Sequence, residues 1–292
     1  MIEGKQLELK WISPSGTRKN PKAPILTSAK IEQIDLHTAQ TAWKNESLSR
    51  RRFVTKLTTR QLPTGRRMQQ FKFWKSALCP LCHTAEETTE HIFQCQDQRA
   101  VTARNEAINT LEQALSGLAS ATDIKQGLLM LVRSRLLGHP LQRQSILRDE
   151  VRRLIGQQLW IHPFALLHGR LHRGWATAQQ NAYANYAPWR SGQTWATATV
   201  QALWQMAFTI WDHRNNVLHS DQANHPDIDP DEIDLAILEE WAMGPDSAWP
   251  TSSRSLFMGT SCELLLTKPI HHRIQWLYYV RLARRPHLLS DE

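Results

Sequence analysis

Seventeen residues, 79–95, read CPLCHTAEETTEHIFQC and restrict the local fold of this chain more than any other stretch. Cys79, Cys82, His91 and Cys95 give the pattern C-x2-C-x8-H-x3-C. Three thiolates and an imidazole form a donor set that closes a tetrahedron around Zn2+. Residues 79–82 suit a tight turn that aims two thiolates at one point, with Pro80 fixing φ and withholding an amide the turn does not need. His91 and Cys95 are four apart, a spacing that puts both on one face of a helix. Thr84 followed by Glu87 reads as the capping box that starts this helix, and Thr88 is a later alternative cap. Ile92 and Phe93 then pack beneath the metal.

Scattered cysteines are usually buried thiols, and a lone histidine is usually a core residue. Here three of the chain's four cysteines fall in one short window with metal-ligand spacing. An odd number of cysteines in the cluster argues against a disulfide framework, and Cys262, far from the others, reads as an ordinary thiol. Four protein donors fill the coordination sphere of a single zinc ion. The expected cofactor is therefore one structural Zn2+, not a catalytic one.

The remainder predicts a mainly α fold, a helical domain with this small zinc module embedded near residues 57–97. Ile31, Ile34, Thr38 and Ala42 recur at helical spacing and predict one helix over residues 28–57. Val101, Ile108, Leu111, Leu115 and Leu118 mark the next, and Asp123 is placed to cap a second that runs to Gly138. A third is expected from near Gln144 until Pro163 stops it, and a fourth over residues 164–183. Residues 195–219 carry Val200, Leu203, Ala207, Ile210 and Trp211 with helical period, and Trp204 and Phe208 widen the stripe. The chain holds twelve tryptophans, and at this spacing they are expected to be core rather than stacking platforms. The division expected is an irregular leader over 1–28, a basic helix with the zinc module over 29–97, a helical bundle over 98–220, and an acidic loop with C-terminal helices over 221–292.

Charge is unevenly spread. Between residues 47 and 78 there are nine cations, Arg50, Arg51, Arg52, Lys56, Arg60, Arg66, Arg67, Lys72 and Lys75, and no carboxylate. Phe53, Phe71, Phe73 and Trp74 lie among them, a mixture suited to neutralising phosphates and stacking bases. The same aromatics also suit burial, leaving the cations in water. Residues 221–246 invert the charge, and Pro230 there starts a helix whose apolar face is Ile233, Leu235, Ile237, Leu238 and Trp241. The formal net charge of +8 favours an anionic partner, DNA or RNA above others. No apolar run approaches the roughly eighteen residues of a spanning helix. The first residues, MIEGKQLELKW, carry no apolar signal run, so an intracellular chain, nuclear or cytoplasmic, is expected.

The pieces RQLPTGRRM, CPLC, EETTEHIF and QC, in that order within residues 57–95, resemble the zinc-binding region that follows the polymerase domain in reverse transcriptases of non-LTR retrotransposons. Later pieces, IGQQLW, GRLHRGW, ATAQQNAY, SGQTWATATVQALW and TIWDHRNNVLH with Trp211, Arg214 and Asn215, resemble the helical region of related mobile-element proteins. The resemblance covers about residues 50–220. It implies a nucleic-acid-binding region with Cys79, Cys82, His91 and Cys95 as zinc ligands. No Tyr-x-Asp-Asp polymerase motif is found in the chain, so the resemblance implies a fragment without that catalysis.

Three functions compete at this point. The first is a non-catalytic, zinc-containing nucleic-acid-binding fragment. The second is a zinc-stapled helical module whose partner is a protein. The third is a divalent-metal-dependent nuclease using His213, Asn215, Asn216 and His219, against the simpler reading of these residues as the polar face of a helix.

Overall fold

A computed structural model describes residues 27–141, 147–220, 229–246, 249 and 251–284. The expected leader over 1–28 and the expected start of a helix near Gln144 fall, almost wholly in the first case, outside these residues. What is described is helical: α1 (Ser28–Gln33), α2 (Leu36–Lys44), α3 (Leu48–Thr58), α4 (Gly65–Gln70), α5 (Thr89–Ile92), α6 (Gln98–Gly117) and α7 (Thr122–Leu137) come first. They are followed by α8 (Asp149–Ile161), α9 (Gly174–Tyr186), α10 (Gly192–Ser220), α11 (Pro230–Met243), α12 (Thr251–Met258), α13 (Cys262–Leu266) and α14 (Ile270–Arg284). The only extended pairing among the described residues is an antiparallel bridge between Ile34 and His172. Among the same residues no helix is long and apolar enough to cross a membrane.

Most helix starts are chemically marked. Asp35 caps α2 by accepting from the Thr38 amide at 2.9 Å, Ser47 caps α3, and Thr64 caps α4. Asp229 with Pro230 at the first turn opens α11 as expected. Gly138, at φ 73°, ends α7 in the left-handed region that a residue without Cβ enters most readily. Asp123 is not the cap of α7. Ala121 holds that position, and Asp123 lies in the first turn.

The chain divides into two compact units, one of Pro24–Leu62 with Cys79–Ser220 and the other of Pro63–Leu78 with the described part of Asp221–Glu292. In the larger unit α10 is the central element, packed by α2, α6 and α9 and touched by α3 and α5. Trp195, Trp204 and Trp211 on α10 are buried with Trp175, Leu111, Leu115, Ile124 and Leu128, so the tryptophan stripe is core as its period suggested. Its one polar atom at Trp195 is satisfied, Nε1 donating to Ser120 Oγ at 2.7 Å. The chain enters α10 at Gly192 because a Cβ there would run into the Ala176 carbonyl of α9.

Two expected helices are broken, and the breaks answer each other. Residues 28–57 form three helices, and helix over 164–183 begins only at Gly174. At the first break the Asp35 amide donates to Leu171 O at 2.9 Å, and at the second the Arg173 amide donates to Gln33 O at 3.0 Å. Each interruption thus supplies partners for backbone groups the other leaves without helical ones.

The smaller unit is held by aromatic residues. Arg67 is buried and donates from Nε to Tyr278 Oη at 2.9 Å, and Phe71 meets the Tyr278 ring edge-on at 5.0 Å. Trp241 and Trp276 stack at 5.3 Å with Phe257 against both. On α11 Ile233 and Ile237 are buried, whereas Leu235 and Leu238, expected on the same face, are exposed.

Candidate metal centre

The first half of the centre is built by backbone. The Cys79 amide donates to Ala85 O at 2.8 Å and the His83 amide donates to Cys79 O at 2.9 Å, which closes residues 79–85 into a compact loop. His83 turns the chain at φ 53°. Amides of Leu81 and Cys82 lie on the Cys79 sulfur, and those of Thr84 and Ala85 on the Cys82 sulfur.

The second half departs from the sequence expectation in two respects. Thr88, not Thr84, caps α5, its hydroxyl accepting from the His91 amide at 3.0 Å. The helix then stops at Ile92, so Cys95 is not one turn along the same face as His91 but in the connection to α6, where Asp97 caps the next helix. Ile92 and Phe93 are buried as expected.

All four donor atoms lie within 4.8 Å of one another. Cys79 Sγ and Cys95 Sγ are 3.8 Å apart, and Cys82 Sγ and His91 Nε2 are 3.4 Å apart. For Zn–S of about 2.3 Å and Zn–N of about 2.0–2.1 Å, a tetrahedron has S–S edges of about 3.8 Å and S–N edges of about 3.6 Å. The side chains fit the ion on two opposite edges, so Cys79, Cys82, His91 and Cys95 would hold one structural zinc. Among the described residues no other group of Cys, His, Asp and Glu converges in this way.

The thiols are electrostatically unequal. Burial pushes Cys79 up to about 12 and also raises Cys95. Burial acts upward on Cys82 as well, but hydrogen bonds from Thr84, Ala85 and His91 outweigh it and bring the thiol down to about 6. Cys262 stands apart as a half-buried free thiol.

Sequence reasoning missed the contact that fastens this loop. Glu87 accepts from Arg214 Nε at 2.7 Å and from Arg214 Nη2 at 2.5 Å, and both side chains are almost fully buried. A residue of the metal loop is thereby pinned to the central helix by a bidentate charge-assisted pair. Arg60 reaches Glu90 at 3.5 Å, and Gln94 Nε2 donates to Arg135 O at 3.3 Å.

The nine basic residues fall in two groups. In the larger unit Arg52 is exposed and Arg50, Arg51, Lys56 and Arg60 are half-buried; Arg50 pairs with Glu46, and Arg51 donates to Lys44 O. In the smaller unit Arg66, Lys72 and Lys75 are exposed, but Arg67 is buried against Tyr278. Phe53, Phe71, Phe73 and Trp74 are all buried, so they serve as core and are not available to stack on bases. Of the nuclease candidates, Asn215 Oδ1 accepts from Arg214 and Asn216 donates to Asp212, while His213 is half-buried and the side chain of His219 lies outside the described set.

Residues 25–101 match a family model described as zinc-binding in reverse transcriptase. This span contains all four donors, and it identifies a reverse-transcriptase-related zinc-binding region. No curated protein and no solved structure matches the chain.

Proposed function

We propose that the chain is a non-catalytic nucleic-acid-binding protein that carries a structural zinc in its reverse-transcriptase-related region. The observation that carries the reading is that all nine cations of residues 47–78, with no carboxylate among them, fall inside the span matched to the zinc-binding region. Arg52, Arg66, Lys72 and Lys75 are exposed. The half-buried Arg50, Arg51 and Lys56 on α3, with Arg60 just past its end, add to the positive charge of this segment. Arg67 has a structural part beside Tyr278 and contributes charge without reaching a phosphate. With the aromatics buried, the contact is to the phosphate backbone, DNA or RNA, and carries little sequence preference.

The test is the affinity for a fluorescent single-stranded oligonucleotide as a function of salt. Each phosphate contact is expected to add about −0.7 to −0.9 to the slope of log K against log salt. Arg52→Glu and Arg66→Glu should each weaken binding and flatten that slope. Binding that ignores salt and both substitutions would overturn the reading.

A protein partner is the second reading. It is supported by Trp189, 80% exposed, three residues after the half-exposed Tyr186. It requires association that tolerates salt and is lost on Trp189→Ala.

A further inference from the structure

Arg104 is among the largest fully buried side chains of the chain, 1% exposed on α6. Its Nε and Nη1 are buried and have no hydrogen-bond partner among the described residues. A guanidinium in such a position is costly unless an anion lies close by. Two acids of the metal region are engaged by other arginines: Glu87 gives both oxygens to Arg214, and Asp97 is held by Arg99.

The position of Arg104 explains what it faces. Ala100, one helical turn earlier on α6, belongs to the buried cluster of Cys79, Leu81 and Cys95, so this face of the helix looks toward the sulfurs. Cys95 itself is 0% exposed. Burial pulls the Arg104 guanidinium below its ordinary range, and a thiolate at Cys95 would act against that.

Three thiolates and a neutral imidazole leave a divalent zinc centre with one net negative charge. The Glu87–Arg214 pair is neutral by itself and cannot offset it. We infer that Arg104 is the counter-ion of the zinc–thiolate centre, a positioning residue that offsets the centre's charge from within the core. Without the metal the same arginine is a stranded cation. Folding around zinc and burial of Arg104 are then coupled, each favouring the other.

The experiment compares wild type with Arg104→Met, which keeps the stem and removes the charge, and Arg104→Lys, which keeps the charge. Zinc affinity is read by competition with a chromophoric chelator, and the Co2+-substituted proteins are read by their thiolate-to-metal charge-transfer absorption. Arg104→Met is expected to weaken zinc by about tenfold or more, which is about 1.4 kcal/mol. It should also move the charge-transfer band to longer wavelength, because sulfur lone pairs rise in energy when a nearby cation is removed. Arg104→Lys should stay within a few-fold of wild type with its band unmoved. An unmoved band and unchanged affinity in Arg104→Met would overturn the inference. Equal losses in the Met and Lys variants would do the same, since they would mark a packing role. If Arg104→Met does not fold, Arg104→Gln against Arg104→Lys reads the same contrast.

Discussion

Removing one member of the Glu87–Arg214 pair should damage the protein more than removing both. The carboxylate is fully buried and the guanidinium nearly so, at 0% and 3% side-chain exposure, and the pair makes two hydrogen bonds at 2.7 and 2.5 Å. In Arg214→Met the Glu87 carboxylate stays in the core without its cation, and in Glu87→Met the reverse holds. Breaking a buried pair by removing one partner costs about 3–5 kcal/mol, whereas replacing both with apolar groups of similar volume is often neutral. The double variant Glu87→Met with Arg214→Met is therefore expected to recover most of what either single variant loses. The assay is equilibrium urea unfolding of the zinc-loaded protein, with the rate of zinc transfer to a chelator as a second readout. Since Glu87 lies between Cys82 and His91, each single variant should also speed zinc loss. Single losses below about 1 kcal/mol, or a double variant that costs the sum of the singles, would refute the reasoning.

Two further outcomes follow from the ionisation of particular groups. Near pH 7.5 the buried Cys79, at about 12, and the raised Cys95 keep their protons, whereas Cys82, at about 6, has lost its own. Zinc binding should then release about two protons per ion, read by calorimetry in buffers of different ionisation enthalpy; a release of three would mean that Cys82 is protonated in the free protein. His162 is lowered from 6.5 to about 4 by burial and by Arg60, Arg170, Arg135 and Lys30, and its Nδ1 accepts from the Phe164 amide at 3.0 Å. The unfolded chain binds the extra proton first, so stability falls as pH drops from about 6.5 to about 4, by on the order of 3 kcal/mol. His162→Asn, whose side-chain oxygen can accept from the same amide, should flatten the acid limb over that window, and an unchanged limb would contradict the assignment.

The parts of the fold that were legible in the sequence were those set by local chemistry. The zinc donors stood out because metal coordination demands particular atoms at particular spacings, and the helix α10 stood out because its apolar residues repeat with the helical period. The breaks at Ile34–Asp35 and at Leu171–Arg173 were not legible, because each depends on backbone groups over a hundred residues away. For the same reason the sequence pattern marks Glu87 as a capping residue. Its true partner, Arg214, lies on another helix, and no local pattern joins the two. Cys95 leaves the helix face its spacing suggests because α5 runs for only four residues, too short to reach one full turn past His91. Arg104 gave no signal at all in the sequence, since a single arginine at an i, i+4 distance from an alanine is ordinary until its burial is known.

The most direct test of the account is the zinc content of the purified chain by native mass spectrometry, for wild type and for Cys79→Ser. One zinc per folded wild-type chain, retained against dialysis and lost in Cys79→Ser, is the result expected from four donors within 4.8 Å of one another. A wild-type chain that folds fully without the metal, or a Cys79→Ser variant that keeps it as tightly, would contradict the claim that zinc holds this region together.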